Sequence, residues 1–214
     1  IDMLPLFGGV DTKKGDFKKL IAAELGVDES AIYGSDLYLY NRMEPSIWGA
    51  NEEVISAPHL DDLQCAYSAL QGFLQGQNSK NINVMVCYDN EEVGSGTKQG
   101  AGSTFLYDVF HRVNTALGKP EEAYYRALAN SFMLSADNAH AVHPNHPEKT
   151  DAVNCVYMNE GIVVKSHAGQ KYTSDAVSIA IFRKICEAAG VPVQFFANRS
   201  DMAGGSTLGN ISST

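Results

Sequence analysis

Apolar positions along the chain alternate between helical spacing and short clustered runs. Phe17, Leu20, Ile21 and Leu25 predict an amphipathic helix over 15–25 that ends at Gly26, and Asp36-Leu37-Tyr38-Leu39-Tyr40 then alternates like a strand. From Glu52 onward a strand is expected first, then a helix carried by Leu63, Ala66, Tyr67, Leu70, Phe73 and Leu74, over 63–75. A β-branched apolar run, Ile82 to Cys87, reads as a buried strand, bounded by the breakers Asn90, Gly94 and Gly96. Helices follow at about 99–117 and 121–130, a strand at 132–136, a strand at 161–165, a helix at 175–189 and a strand at 193–197. Strands alternating with helices predict an α/β sandwich with helices on both faces of the sheet.

Three apolar segments each end in carboxylates. Ile82 to Cys87 runs into Tyr88-Asp89-Asn90-Glu91-Glu92-Val93-Gly94-Ser95. In an open α/β sheet ligands bind at the C-terminal ends of strands, and neighbouring extended residues point to opposite sides, so Glu91 and Glu92 can do different jobs. An isolated Glu-Glu pair is more often a solvated turn, so the other clusters decide. Ser56-Ala57-Pro58-His59-Leu60-Asp61-Asp62-Leu63 precedes a helix that one of its aspartates is expected to cap, leaving the other without a structural role. Phe132 to Ala136 leads to Asp137-Asn138-Ala139-His140-Ala141-Val142-His143-Pro144-Asn145-His146, where each histidine alone is more often structural. Together the clusters point to one shared site. Oxygen and imidazole donors suit zinc, cobalt or manganese, and two divalent ions sharing a carboxylate activate a bridging water for hydrolysis.

These motifs, with Lys165 and Gln170-Lys171-Tyr172, resemble the aspartyl aminopeptidases, dinuclear zinc metallopeptidases that remove N-terminal acidic residues; the likeness runs from about Leu37 to Ser213. The resemblance implies a three-layer sandwich with a mixed central sheet. It implies that residues 1–51 close an inserted dimerisation or lid domain and that 52–214 belong to the catalytic domain. Asp61 would bridge both metals, Glu92 and Asp137 would each bind one, and Glu91 would be the general base. His140, Lys165 and Tyr172 match substrate-contacting positions, and a lysine cation suits an acidic side chain. His143 reads as supporting or structural, and His111, His146 and His167 as surface or core histidines. The family has arginine where this chain has His59 and methionine where it has Asn138. Its members are longer, with one histidine ligand before and another after the part matched here. The resemblance therefore implies an incomplete chain that holds a second metal weakly. It also implies a homo-oligomer, up to a dodecamer. Two other readings stand beside it: a catalytically incompetent piece that self-associates through Tyr38, Tyr40 and Trp48, and a dinuclear aminopeptidase for neutral residues.

Composition agrees with an enzyme domain. The 214 residues are 44% hydrophobic with 19 glycines, enough for one substantial core. A net charge of −9 and no basic stretch argue against nucleic acid, and no apolar run approaches the roughly 20 residues a membrane span needs. An acidic substrate must then be attracted locally, by metal and lysine. Cys65, Cys87, Cys155 and Cys186 lack paired spacing and read as thiols of a reducing compartment, which points to the cytoplasm. The glycine-rich Ala203 to Asn210 lacks the ending of a phosphate-binding loop and suits close backbone approach to metal or substrate.

Overall fold

In residues 5–58 the predicted amphipathic helix forms as α1 (Asp16–Leu25), and after a 3-10 turn at Glu29–Ala31 comes a short hairpin. Its strands β1 (Ser46–Trp48) and β2 (Val54–Ser56) run antiparallel, with Ser46 opposite Ser56 and Trp48 opposite Val54. The Trp48 indole N–H donates to Ser56 Oγ at 2.7 Å across the pair. The computed structural model describes residues 5–78, 80–199, 201 and 202, and divides between Pro58 and His59 into two units. The opening Ile1-Asp2-Met3 and the glycine-rich Ala203 to Asn210 lie outside the described residues.

The second unit carries α2 (Leu60–Gln75), α3 (Phe105–Ala116) and α4 (Glu121–Ala129), followed by a β–α–β crossover. Tyr124 is buried between α3 and α4 against Tyr107 and His111, whose ring centroids lie 5.8 Å and 5.4 Å away, so His111 is a packing residue. In the crossover, β3 (Ile162–Ser166) pairs in parallel with β4 (Val193–Ala197), from Ile162 opposite Val193 to Ser166 opposite Ala197. A parallel pair needs a long connection, and α5 (Ala176–Ala189) supplies it. Asp175 caps α5 by accepting the Ser178 N–H at 2.7 Å, while the Ser178 hydroxyl accepts the Asp175 N–H at 2.9 Å. Gly190 ends the helix at φ 67°, a left-handed position that suits glycine. Val164, Phe196, Cys186 and Val156 are buried in this unit. Period-two alternation puts Lys165 on the face of β3 opposite Val164.

The class is α/β, as expected, and the crossover and most helix bounds match to within a residue or two. Three predicted strands do not form ladders. Asp36 to Tyr40, Ile82 to Cys87 and Phe132 to Ala136 belong to no sheet among the described residues. An apolar β-branched run states a preference for extended backbone, but a ladder also needs a hydrogen-bonded neighbour about 4.8 Å away, and no described segment pairs with these runs. The helix expected from about Gln99 begins only at Phe105, because the preceding residues are engaged in a loop described below. Among the described residues, no helix is long and apolar enough to cross a membrane. All four cysteines are free.

Candidate metal centre

The start of α2 is not regular helix. His59 stands before it in a left-handed conformation, and the chain leaves helical values at Asp61 (φ −87°, ψ 112°) and Asp62 (φ −119°, ψ 23°). The peptide between the two aspartates is cis. No side-chain cap bond closes this end, so neither aspartate takes the capping role expected from sequence. Both gather instead with Asp137. One carboxylate oxygen from each of Asp61, Asp62 and Asp137 lies within 4.8 Å of the others.

Crowding has an electrostatic signature. Burial raises the pKa of Asp61, and the charges of Asp137, Asp62 and Glu92 raise it further. Burial also raises Asp62. The Cys65 thiol and the Asn138 backbone N–H pull it the other way, yet no hydrogen bond of normal geometry reaches its buried Oδ1. The pKa of Glu91 is raised by burial first, then by the charges of Glu92, Asp137, Asp61 and Asp62, so Glu91 feels the aspartate cluster through space. Converging oxygens, mutual repulsion and an unpartnered buried oxygen are what a divalent cation relieves, and the donor set fits one. The Cys65 thiol, pushed up to about 12 mainly by burial, stays protonated and donates to Asn138 Oδ1 at 3.1 Å.

Lys165 lies against the cluster. Its ammonium donates to Asp137 Oδ2 at 2.8 Å and to the Asn138 carbonyl at 2.7 Å, with side-chain exposures of 17% for Lys165 and 31% for Asp137. The same ammonium sits 5.8 Å from the centre of the Tyr172 ring, which His167 meets edge-on at 6.0 Å. His140 is exposed at the end of the Asp137 segment. His146 is exposed and pairs with Glu148 at 3.2 Å.

Glu91 and Glu92 stand exposed on a loop that braces itself. The Gly94 N–H donates to the Glu91 carbonyl at 2.8 Å, the Ser95 N–H to Asn90 at 3.1 Å and the Asp89 N–H to Gln99 at 3.1 Å. The Asn90 side chain donates to Thr97 Oγ1 at 3.0 Å. Ser95 is buried, and a Cβ on Gly100 would overlap its carbonyl, so this crossing of the loop requires glycine. Glu92 is outside the group of converging oxygens, whereas Asp62 is inside it. Sequence pattern passed over three neighbours of the site. Asp62 was hidden by a capping motif, Asn138 offered no charge, and His167 resembled any core histidine.

A sequence profile described as "Aminopeptidase I zinc metalloprotease (M18)" matches residues 8–214. The chain belongs to the M18 aminopeptidase family. It is similar to a probable M18 family aminopeptidase 2 of Clostridium acetobutylicum, at 46% identity over 217 residues covering 100% of this chain and 50% of that protein. The crystal structure of an M18 aminopeptidase from Thermotoga maritima superposes with a TM-score of 0.80 at 26% identity, covering 96% of this chain and 47% of that one. An S. cerevisiae mApe1 dodecamer gives a TM-score of 0.73 at 29% identity over 92% of this chain and 45% of that one. The M18 chain described here spans about half the length of the curated relatives it matches. These likenesses assign it the M18 α/β fold.

Proposed function

We propose that this chain contributes the carboxylate side of a metal-dependent aminopeptidase centre that removes N-terminal Asp or Glu from peptides. The observation that carries the reading is the convergence of Asp61, Asp62 and Asp137 beside Lys165, with Glu91 within electrostatic reach. Asp61, Glu92 and Asp137 would hold zinc, with cobalt or manganese as alternatives, and Asp61 would be shared by two ions. Such ions supply Lewis acidity and lower the pKa of water. Glu91 takes a proton from the attacking water as its oxygen bonds to the scissile carbonyl carbon, then returns that proton to the amine as the C–N bond breaks. A raised pKa suits a group that must both accept and release a proton. Lys165 recognises the acidic side chain of the substrate. Tyr172 and His140 would contact the substrate, and either ring can donate to the developing oxyanion.

The proposal includes a homo-oligomer, up to a dodecamer, working in the cytoplasm, with residues 1–51 as the end of an inserted dimerisation domain. Tyr38 and Tyr40 are 84% and 72% exposed, in keeping with aromatic contacts between subunits.

Glu91→Gln in the full-length protein tests the mechanism: kcat should fall by about 10²-fold or more with metal content unchanged. Near-parental turnover removes Glu91 from the reaction. A parent that prefers neutral N-terminal residues converts the reading to a neutral aminopeptidase, and a stable assembly without metal or turnover leaves self-association alone.

A further inference from the structure

The carboxamide of Asn138 joins two segments far apart in sequence. Its Nδ2 donates to the Leu60 carbonyl at 3.1 Å, immediately before Asp61, and its Oδ1 accepts from Cys65 Sγ at 3.1 Å, about one turn into α2. Its backbone carbonyl accepts from Lys165 Nζ at 2.7 Å, while that ammonium also holds Asp137 at 2.8 Å. The donor end of the amide meets an acceptor and the acceptor end meets a donor, which fixes the orientation of a group whose two ends look alike. Asn138, Leu60, Cys65 and Lys165 are all half-buried, so these bonds are sheltered from competing water. Phe132 to Ala136, which leads into Asp137, belongs to no ladder among the described residues. Placement of Asp137 against Asp61 therefore falls to side-chain bonds.

We infer that Asn138 is a positioning residue for the metal-binding carboxylates, clamping the Asp137 segment to the start of α2 so that Asp61, Asp62 and Asp137 converge before an ion arrives. The inference rests on the metal-binding reading above. Carboxylates held only loosely must be gathered by the ion itself, and the ordering cost then subtracts from affinity. Lys165 completes the clamp by joining β3 to both Asp137 and the Asn138 backbone.

The test is zinc affinity, measured by competition with a chelating indicator in the full-length protein. Asn138→Leu removes both carboxamide bonds at similar volume and should weaken zinc binding about 10-fold or more, the range typical for partners that orient ligands. Cys65→Val should lose part of that affinity, and Cys65→Ser, which keeps a donor for Asn138 Oδ1, should restore it. A purely structural role would lower the melting temperature of the metal-free protein while leaving zinc affinity well below that temperature unchanged. Folded Asn138→Leu with affinity within about two-fold of the parent overturns the inference, two-fold being far short of the loss an orienting partner carries. If Asn138→Leu does not fold, Asn138→Met decides, since it also removes both carboxamide bonds: unchanged affinity overturns the clamp, and a loss supports it. A parent that binds no zinc overturns the metal reading and this inference together, and that outcome is seen in the parent alone.

Discussion

Residues 162–197 and the acidic loops of the same unit are held together in opposite ways. β3 and β4 share a parallel register of five residue pairs, bridged by a helix with a reciprocal cap at its start and a glycine at its end. Asp61 and Asp137 stand on two segments tied by side-chain bonds and one ammonium, and Glu91 stands on a loop braced within itself. Backbone ladders are repeated and redundant, so losing one contact leaves the rest in place. Side-chain ties between loops are few, so each matters more to geometry than to stability. A scaffold of the first kind and a centre of the second give a laddered base beside like-charged groups that a few side-chain ties hold together for a cation.

Four perturbations sharpen this contrast. Phe196→Ala should cost the most, about 3–5 kcal/mol, because it empties a buried position of β4, and urea unfolding measures it. Zinc affinity of the molecules still folded should hardly change; a large loss would mean the two regions are not separate. Zinc at about 100 times its Kd should add about 2.7 kcal/mol of stability, reversed by chelator. Hydrogen exchange should locate the added protection at residues 61–66 and 137–140 and leave β3 and β4 little altered. Lys165→Met should cost about 1.5–3 kcal/mol, the range for a hydrogen bond to a charged group. In kinetics it should penalise acidic substrates more than neutral ones, and equal penalties would remove the lysine from recognition. The smallest effect belongs to Asp175, whose carboxyl is held below its usual 3.8 first by the backbone N–H of Ser178. A depressed acid contributes stability above its unfolded value and loses it as pH falls through the folded value. Urea midpoints should therefore drop for the parent below about pH 3.8 more steeply than for Asp175→Ala.

What the sequence makes legible follows the same division. The spacing in 175–189 and the runs at 161–165 and 193–197 specify their own structure, because period, cap and stop residues all act within a few positions. Regular α2 begins at Leu63, where its apolar period begins. Ile82 to Cys87 and Phe132 to Ala136 carry an equally clear apolar signal, but pairing depends on a neighbour the local pattern does not name. At the centre, the carboxylate motifs pointed to one shared site by their chemistry, and the family resemblance singled out Asp61 and Asp137 within it. Asp62 joined them against expectation, since a capping motif and a metal-binding motif look the same one residue at a time. The ties of Asn138 span 73 and 78 positions, and no periodicity reports a contact at that distance.

The thiol at the centre has a consequence for chemical damage. Thiolate is the form that alkylating agents and peroxides attack, and at neutral pH a thiol pushed up to about 12 exposes only about one molecule in 10⁵ in that form. Cys87, by contrast, is exposed. Oxidants reaching the protein would meet the exposed Cys87 before the half-buried Cys65, so the residue that bonds to Asn138 is sheltered from modification.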